Sequence, residues 1–522
     1  MDYRSIDRLD RATRFGRREL FRLGCAVLFL AGVMLYAYTR LPTVEHTLLA
    51  VAAMIGGYMA INIGANDVAN NVGPAVGSRA LTLAGAIVIA AIFEAAGALI
   101  AGGEVAGTIK KNIIDPALIP DSNVFVWLMM AALLAGAVWL NLATAMGAPV
   151  STTHSIVGGV LGSGLAAAGM AVVKWKVVAA IVASWVISPL LGGLIAAGFL
   201  YLIKRRITYQ ADVIAAARRQ VPWLIAVMAW AFVTYLLLKG FKHVWKISFF
   251  QASVIGFLAA TTIYLFTRPL VEAAAARLEN GKESVSQLFT VPLIFAAAFL
   301  SFAHGANDVA NAVGPLAAIN GALNVHEVIT RATIPLWVMG VGALGISLGL
   351  ALYGPKLIRT VGSEITVLDK TRAFCIAMAA ALTVLVASQL GLPVSSTHTA
   401  LGAVFGVGFL REYLKGRHAR AIELIIAHHP AESRAELEAY LEEYQNAPLE
   451  RKREMLRELK GRPPEQAHGL DKAERKQLKR VYKEQLVRRE LFLKIIAAWI
   501  ITLPFSAILA AMFYFMIRGM MI

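Results

Sequence analysis

The eleven residues GANDVANNVGP that begin at Gly64 return as GANDVANAVGP from Gly305, and each copy interrupts a long apolar stretch. A chain that repeats so polar a string inside oil-like surroundings was built by duplication, and each copy needs a protein interior to shelter it. A second string keeps step with the first, since PVSTTHS from Pro149 reappears as PVSSTHT from Pro393. The two steps, 241 and 244 residues, nearly agree, so one repeated unit accounts for both. A third likeness, KVVAAIVASWVISPL from Lys176 and KIIAAWIITLPF from Lys494, sets Trp185 and Trp499 314 residues apart. Taking away the 244-residue step leaves 70 residues, which marks an insertion from about Arg411 to Glu490.

Of the 522 residues 58% are hydrophobic and 16% charged, and the mean hydropathy is +0.64, so most of the chain belongs in lipid. Apolar runs near 23–38, 47–63, 80–101, 123–144, 146–172, 175–203, 222–238, 247–267, 289–304, 333–352, 372–390, 391–410 and 491–516 predict about a dozen spans. The net charge of +17 does not point to a nucleic-acid partner, because the basic residues flank apolar runs. The arginines between Arg4 and Arg22, the Lys204–Arg206 cluster and the segment after Arg411 read as cytoplasmic orientation signals. No cleavable leader is expected in so charged a beginning. Cys25 and Cys375 both lie in apolar runs, which argues against a disulfide or metal framework.

The expected fold is an all-α polytopic membrane protein in the plasma (cell inner) membrane. Its two repeats should be inverted, each with broken helices or re-entrant hairpins, because six spans separate the basic N-terminus from the Lys204 loop and six more reach Arg411. Lys239, Lys242 and Lys246 fit this layout poorly, since it puts them outside. The expected parts are a basic arm (1–22), a first membrane repeat (23–210), connecting spans (211–288), most of the second repeat (289–410), a charged helical cytoplasmic insertion (411–490) and a final span (491–522).

Carboxylates are disfavoured at the bilayer centre by roughly 2.5 to 3.5 kcal/mol on insertion scales, so the duplicated Asp67 and Asp308 need compensating partners. Beside them stand Asn66, Asn70 and Asn71 in one copy and Asn307 and Asn311 in the other, with Pro74 and Pro315 to break the helix. Carboxylate oxygens with freed carbonyls suit a hard cation or a proton. The second string supplies anion donors: after Pro149 and Pro393 come Ser151, Thr152, Thr153 and Ser395, Ser396, Thr397, which are good residues for starting a helix. Hydroxyls and free N–H groups at a helix start bind phosphate-like groups without lysine or arginine. An oxyanion beside an aspartate must carry a proton to donate. Phosphate, whose second ionisation lies near pH 6 in its esters, meets that condition, whereas sulfate does not.

The GANDVAN pair, the PVS(S/T)TH pair and FEAAGALIAGGEVAGTIKKNIID from Phe93 together resemble the inorganic phosphate transporter (PiT) family, apart from the insertion and the N-terminal arm. The resemblance implies coupled uptake of inorganic phosphate with Na⁺ or H⁺ by alternating access, with no further cofactor. It implies that Asn66, Ser151, Thr152, Thr153, Asn307, Ser395, Ser396 and Thr397 hold phosphate. Coupling cations would sit against Asp67 and Asp308, which would be metal ligands if sodium is used, with Asn70, Asn311 and Glu94 on the coupling path. A homodimer is the assembly it suggests. One departure is Ala377, at a place where some relatives carry a second glutamate.

Other readings stay open at this stage. Asp67, His154 and Ser151 contain the side chains of a hydrolase triad, although duplication of every polar element argues against a single nucleophile. A passive channel and a sulfate or other oxyanion permease on the same scaffold are further alternatives. His154 and His398 read either as buried hydrogen-bonding groups or as a proton relay, and the paired glycines Gly56, Gly57, Gly158 and Gly159 as close helix contacts.

Overall fold

A computed structural model describes residues 3–40, 45–103, 113–240, 247–325, 334–363, 368–390, 394–415 and 489–521, with isolated positions between 437 and 475. Pro393, Lys242, Lys246 and most of the insertion lie outside the described residues. In chain order the helices are α1 (Tyr3–Arg40), α2 (His46–Asn66), α3 (Val68–Gly77), α4 (Leu83–Ala101), α5 (Ser122–Met146), α6 (Thr152–Ala168), α7 (Trp175–Ile203) and α8 (Val213–Tyr235). They continue as α9 (Phe249–Ala275), α10 (Lys282–Leu288), α11 (Thr290–Asp308), α12 (Ala310–Val325), α13 (Leu336–Ser363), α14 (Lys370–Gln389), α15 (Ser396–Lys415) and α16 (Arg489–Met521). The described residues contain no β-strand beyond one isolated bridge between Ile114 and Val173.

Eleven stretches among the described residues are long and apolar enough to cross a membrane. The expected run 146–172 appears instead as α6, only 17 residues long, and the run 391–410 as α15, which carries Arg411, Glu412 and Lys415. Both helices start at the hydroxyl strings. Burial separates an inner layer from an outer one: 89% of the apolar window in Thr290–Asn324 is buried, against 17% in Phe249–Ala275. Helices with a polar string must face protein, whereas α9 and α16 expose leucine, phenylalanine and methionine as lipid-facing helices do.

Each polar string divides a helix, but by a single residue. Asp67, between α2 and α3, keeps right-handed helical torsions (φ −84°, ψ −37°), and so does Val309, between α11 and α12 (φ −54°, ψ −31°). The ladder tightens at the joint: Asp67 N reaches Ile63 O at 2.9 Å, and Asn70 N then turns back to Asp67 O at 3.0 Å. Pro74 and Pro315 sit within the following helices and offer no N–H to the carbonyls of Asn70 and Asn311.

Helix contacts across the two halves are reciprocal. A Cβ on Gly64 would strike the carbonyl oxygen of Ile346, and one on Gly305 that of Glu94. Likewise Gly158 on α6 meets Leu503 O and Gly162 meets Ala507 O, while the matching Gly402 and Gly406 on α15 meet Pro189 O and Gly193 O. Each copy of the repeat thus covers the other copy's glycines in the same way. The glycines let backbones approach where a side chain could not.

The residues fall into two units, Met1–Val407 with Glu490–Ile522, and Gly408–Arg489. Within the second, Leu437, Tyr440, Leu441, Tyr444, Met455, Leu459 and Leu470 are buried, and the Tyr440 hydroxyl donates to Met455 O at 3.3 Å.

Candidate substrate site

Two short connections set the site. At the end of α5, Gly147 adopts the left-handed conformation (φ 74°), which turns the chain toward Ser151. Ser151 then caps α6 by accepting the backbone N–H of His154 at 3.2 Å, and Ser395 caps α15 by accepting that of His398 at 3.1 Å. Both caps are fully buried, so two helix N-termini open inside the protein.

Within each half the aspartate accepts from the hydroxyl string of the same half. Thr152 Oγ1 donates to Asp67 Oδ2 at 2.7 Å, and Ser396 Oγ donates to Asp308 Oδ2. The asparagines reach across instead. Asn70 Nδ2 donates to Thr397 Oγ1 at 3.0 Å, and Asn311 Nδ2 donates to Thr152 Oγ1 at 3.0 Å and Thr153 Oγ1 at 3.3 Å. Thr153 in turn donates to Val394 O at 3.2 Å. The two cradles therefore form one interlaced cluster, with ligand atoms of Asp67, His304 and Asp308 all within 4.8 Å of one another.

Asn66 and Asn307 are committed to holding the connections. Asn66 Nδ2 donates to Thr144 Oγ1 at 2.9 Å and Ala148 O at 3.1 Å, and its Oδ1 accepts from Val150 N at 3.0 Å. Asn307 Nδ2 donates to Asp308 Oδ1 at 2.6 Å and Val394 O at 3.0 Å, and Ser388 Oγ donates to its Oδ1 at 3.4 Å. Neither amide has a proton to spare for an anion in this arrangement. The caps Ser151 and Ser395 do, since among the described residues their hydroxyl oxygens accept and their protons are engaged by no partner. Sequence reading missed Thr144 and Ser388, whose 244-residue spacing was a usable signal.

The larger omission is His304. Its Nδ1 lies 2.7 Å from Glu94 Oε2 and its Nε2 2.7 Å from Asp308 Oδ2, and Asn71 Nδ2 donates to Glu94 Oε1 at 2.8 Å. All four residues are fully buried or nearly so. Glu94 thus reaches the acidic centre through the histidine. Ala377 lies on α14. By packing, the counterpart of Glu94 is Ile346 on α13, because Ile346 and Glu94 cover Gly64 and Gly305 in the same way.

His154 and His398 belong to a different feature, a row of rings from Trp185 through His154 and His398 to Trp499, with centroid separations of 3.7, 4.3 and 3.7 Å. His154 turns its Nδ1 toward Trp499 O, 3.5 Å away, rather than toward Ser151 Oγ. The side chains of a hydrolase triad are therefore present without the triad's geometry.

A cluster of carboxylates, amides and hydroxyls between two interior helix starts is suited to an oxyanion and its counter-ion. Comparison with known proteins agrees: the phosphate transporter family matches residues 63–510. The chain belongs to the phosphate transporter family. A protein of Helicobacter pylori strain J99 named "Putative phosphate permease" is 52% identical over 98% of both chains. One of the same description from Pyrococcus abyssi is 39% identical over 70% of this chain and 89% of its own. A solved structure, "The sodium-dependent phosphate transporter", matches with a TM-score of 0.72 at 31% identity, covering 91% of this chain and 99% of its own. This member of the family is an integral membrane protein whose polar residues gather at one buried centre.

Proposed function

We propose that the chain is a secondary carrier that moves inorganic phosphate together with Na⁺ or H⁺. The observation that carries this reading is the interlaced cradle, in which acid and hydroxyl groups of both copies meet in one buried cluster. Phosphate fits because a protonated oxyanion can donate to a carboxylate while accepting from the Ser151 and Ser395 hydroxyls and the free N–H groups of two helix starts. A fully ionised sulfate would face Asp67 and Asp308 with acceptors only. Thr152, Thr153, Ser396 and Thr397 surround the same centre, and Asn66 and Asn307 set its walls. The name of the solved relative supports Na⁺ as the coupling ion.

The reciprocal contacts support alternating access, since a two-fold arrangement gives two conformations related by exchange of the halves. The basic residues that flank the apolar runs support a cytoplasmic N-terminal arm and 411–490 segment, with the protein in the plasma membrane.

The test is uptake of labelled phosphate into proteoliposomes, with Na⁺ and pH gradients varied separately and sulfate as competitor. Accumulation above equilibrium under one gradient, unaffected by sulfate, is the expected result. Equilibration without accumulation would mean a channel, and equal competition by sulfate would mean a general oxyanion permease.

A further inference from the structure

Away from the central site, arginines of two neighbouring helices converge on one cleft. It holds about 450 Å³ between α8 and α9, a volume typical of ligand pockets. Arg218, Arg219 and Trp223 line it from α8, and Tyr264, Arg268 and Glu272 from α9 at four-residue steps, which share a helix face. Packing fixes both ends of the cleft. On one side Trp230 Nε1 donates to Ser253 O at 3.0 Å, and Gly256 lets the backbones close, since a Cβ there would lie 3.1 Å from Trp230 O. On the other, Asn280 beyond α9 accepts from Val213 N at 3.0 Å and donates to Ala211 O at 3.2 Å, which holds the start of α8. Between them the rings of Trp223 and Tyr264 meet at 5.2 Å.

The charges in the cleft do not cancel. Arg268 pairs with Glu272 at 3.4 Å, whereas Arg218 and Arg219 have no ion-pair partner among the described residues. A guanidinium presents a planar fork of donors that matches the oxygens of a phosphate group. Apolar surface continues from this charged mouth, because Trp223 is largely exposed and so are Leu265 and Phe266 on α9, a helix whose apolar window is only 17% buried. An orientation signal needs positive charge at the end of a span and nothing more. It does not require arginines of two helices to share a cleft with aromatic rings at the edge of a lipid-facing surface.

We propose that this cleft binds the headgroup phosphate of an anionic phospholipid, on Arg218 and Arg219, with the acyl chains laid along the exposed face of α9. Basic pockets between spans hold such headgroups in other membrane proteins. A free phosphate ion would use the arginines but gain nothing from the apolar surface beside them, whereas a phospholipid uses both. The proposal goes beyond the carrier reading and does not depend on it. It requires only that α8 and α9 stand in a bilayer.

The test is titration of the full-length protein in detergent with short-chain phosphatidylglycerol, with bound lipid counted by native mass spectrometry. Phosphatidylcholine with the same chains is the comparison, and inorganic phosphate the competitor. Phosphatidylglycerol should bind about tenfold more tightly than phosphatidylcholine or better, and an equal concentration of inorganic phosphate should not displace it. Arg218→Gln together with Arg219→Gln should weaken binding about 30-fold, on the scale of two basic residues at an anionic lipid surface. Arg205→Gln together with Arg277→Gln removes the same charge close by but outside the cleft lining, and should change little. Equal weakening by the two pairs, or equal binding of the two lipids, overturns the proposal. So does displacement by inorganic phosphate, which would give the cleft to the free ion, and so do dimers that exclude lipid while monomers carry it, which would give it to a second copy of the chain. Wild-type protein supplies a reading that needs no variant to fold. Photoactivatable phosphatidylglycerol should leave adducts on α8 or α9, and adducts confined to other helices would overturn the assignment.

Discussion

Around Asp67 a buried carboxylate oxygen lacks a hydrogen-bond partner, whereas around Asp308 both oxygens are taken and an imidazole stands beside one of them. Yet the two strings agree at ten of eleven positions. The partner of Asp308 Oδ1 is the repeated Asn307, whose counterpart Asn66 turns its amide to Thr144 and Ala148. The imidazole comes with three diverged positions, Asn71 against Ala312 inside the string, His304 against Ile63 just before it, and Glu94 against Ile346 on the helix packed across it. What is kept in both copies builds the frame, with aspartate on hydroxyl within a half and asparagine on hydroxyl between halves. What has diverged adds a buried histidine and glutamate beside Asp308 that Asp67 lacks. Duplication therefore need not mean two equal sites.

The sharpest way to break this comparison is to make the copies alike in one step. His304→Ile alone leaves buried Glu94 with Asn71 but without its closest partner, and removing one member of a buried pair costs up to about 3 to 5 kcal/mol where both members are ionised. Thermal melting in detergent should show this loss. Adding Glu94→Ile should recover much of it, because the stranded carboxyl group then goes too. If the double variant is as unstable as the two single losses summed, the residues are not coupled and the contrast between the copies has another origin.

How far the sequence revealed this depends on whether a feature repeats. Asp67, Asp308 and the S-T-T strings were legible because polar residues that recur in apolar runs must be sheltered and partnered inside the protein, and Gly158 and Gly159 because paired glycines in spans mark close packing. Gly158 indeed faces Leu503 O, where a Cβ would lie at 2.5 Å, and Gly159 faces Ala132 O, at 2.8 Å. His304 was invisible to that method because it is the unrepeated residue. A search for symmetry discards the very position at which symmetry is broken. Glu94 comes from family resemblance, and its counterpart in the second half is not legible in the sequence, since the 241- and 244-residue steps do not carry over to α4 and α13. That pair differs by 252 residues, from Gly97 over Phe302 O to Gly349 over Ile61 O, and only packing reveals it. Sequence also favoured Asn66 and Asn307 as anion donors, because it cannot show that their amides are already spent on the carbonyls of Ala148 and Val394.

A smaller effect tests the conserved half of the comparison. Gly64→Ala and Gly305→Ala each drive a methyl group into a backbone carbonyl, of Ile346 and Glu94 respectively. Overpacking of this kind costs about 1 to 3 kcal/mol. The two costs should be of similar size when melting is compared. A large inequality would mean that the frame is asymmetric as well, and that the divergence at His304 is a symptom rather than the cause.

The smallest expected effect concerns the two helix starts. Ser151 and Ser395 each accept one backbone N–H, at 3.2 and 3.1 Å, so alanine at either should cost about 1 kcal/mol through loss of the cap. Melting should register this equally in both variants. Phosphate affinity is a separate reading, because the cap uses the hydroxyl oxygen whereas an anion would use its proton. If both hydroxyls donate to phosphate, each variant should weaken binding by a further 1 to 3 kcal/mol or so, beyond any change in melting. A loss of affinity at one serine only would carry the inequality of the aspartates over to the anion. Unchanged affinity at both would confine these serines to capping and leave the free N–H groups of α6 and α15 as the anion's donors.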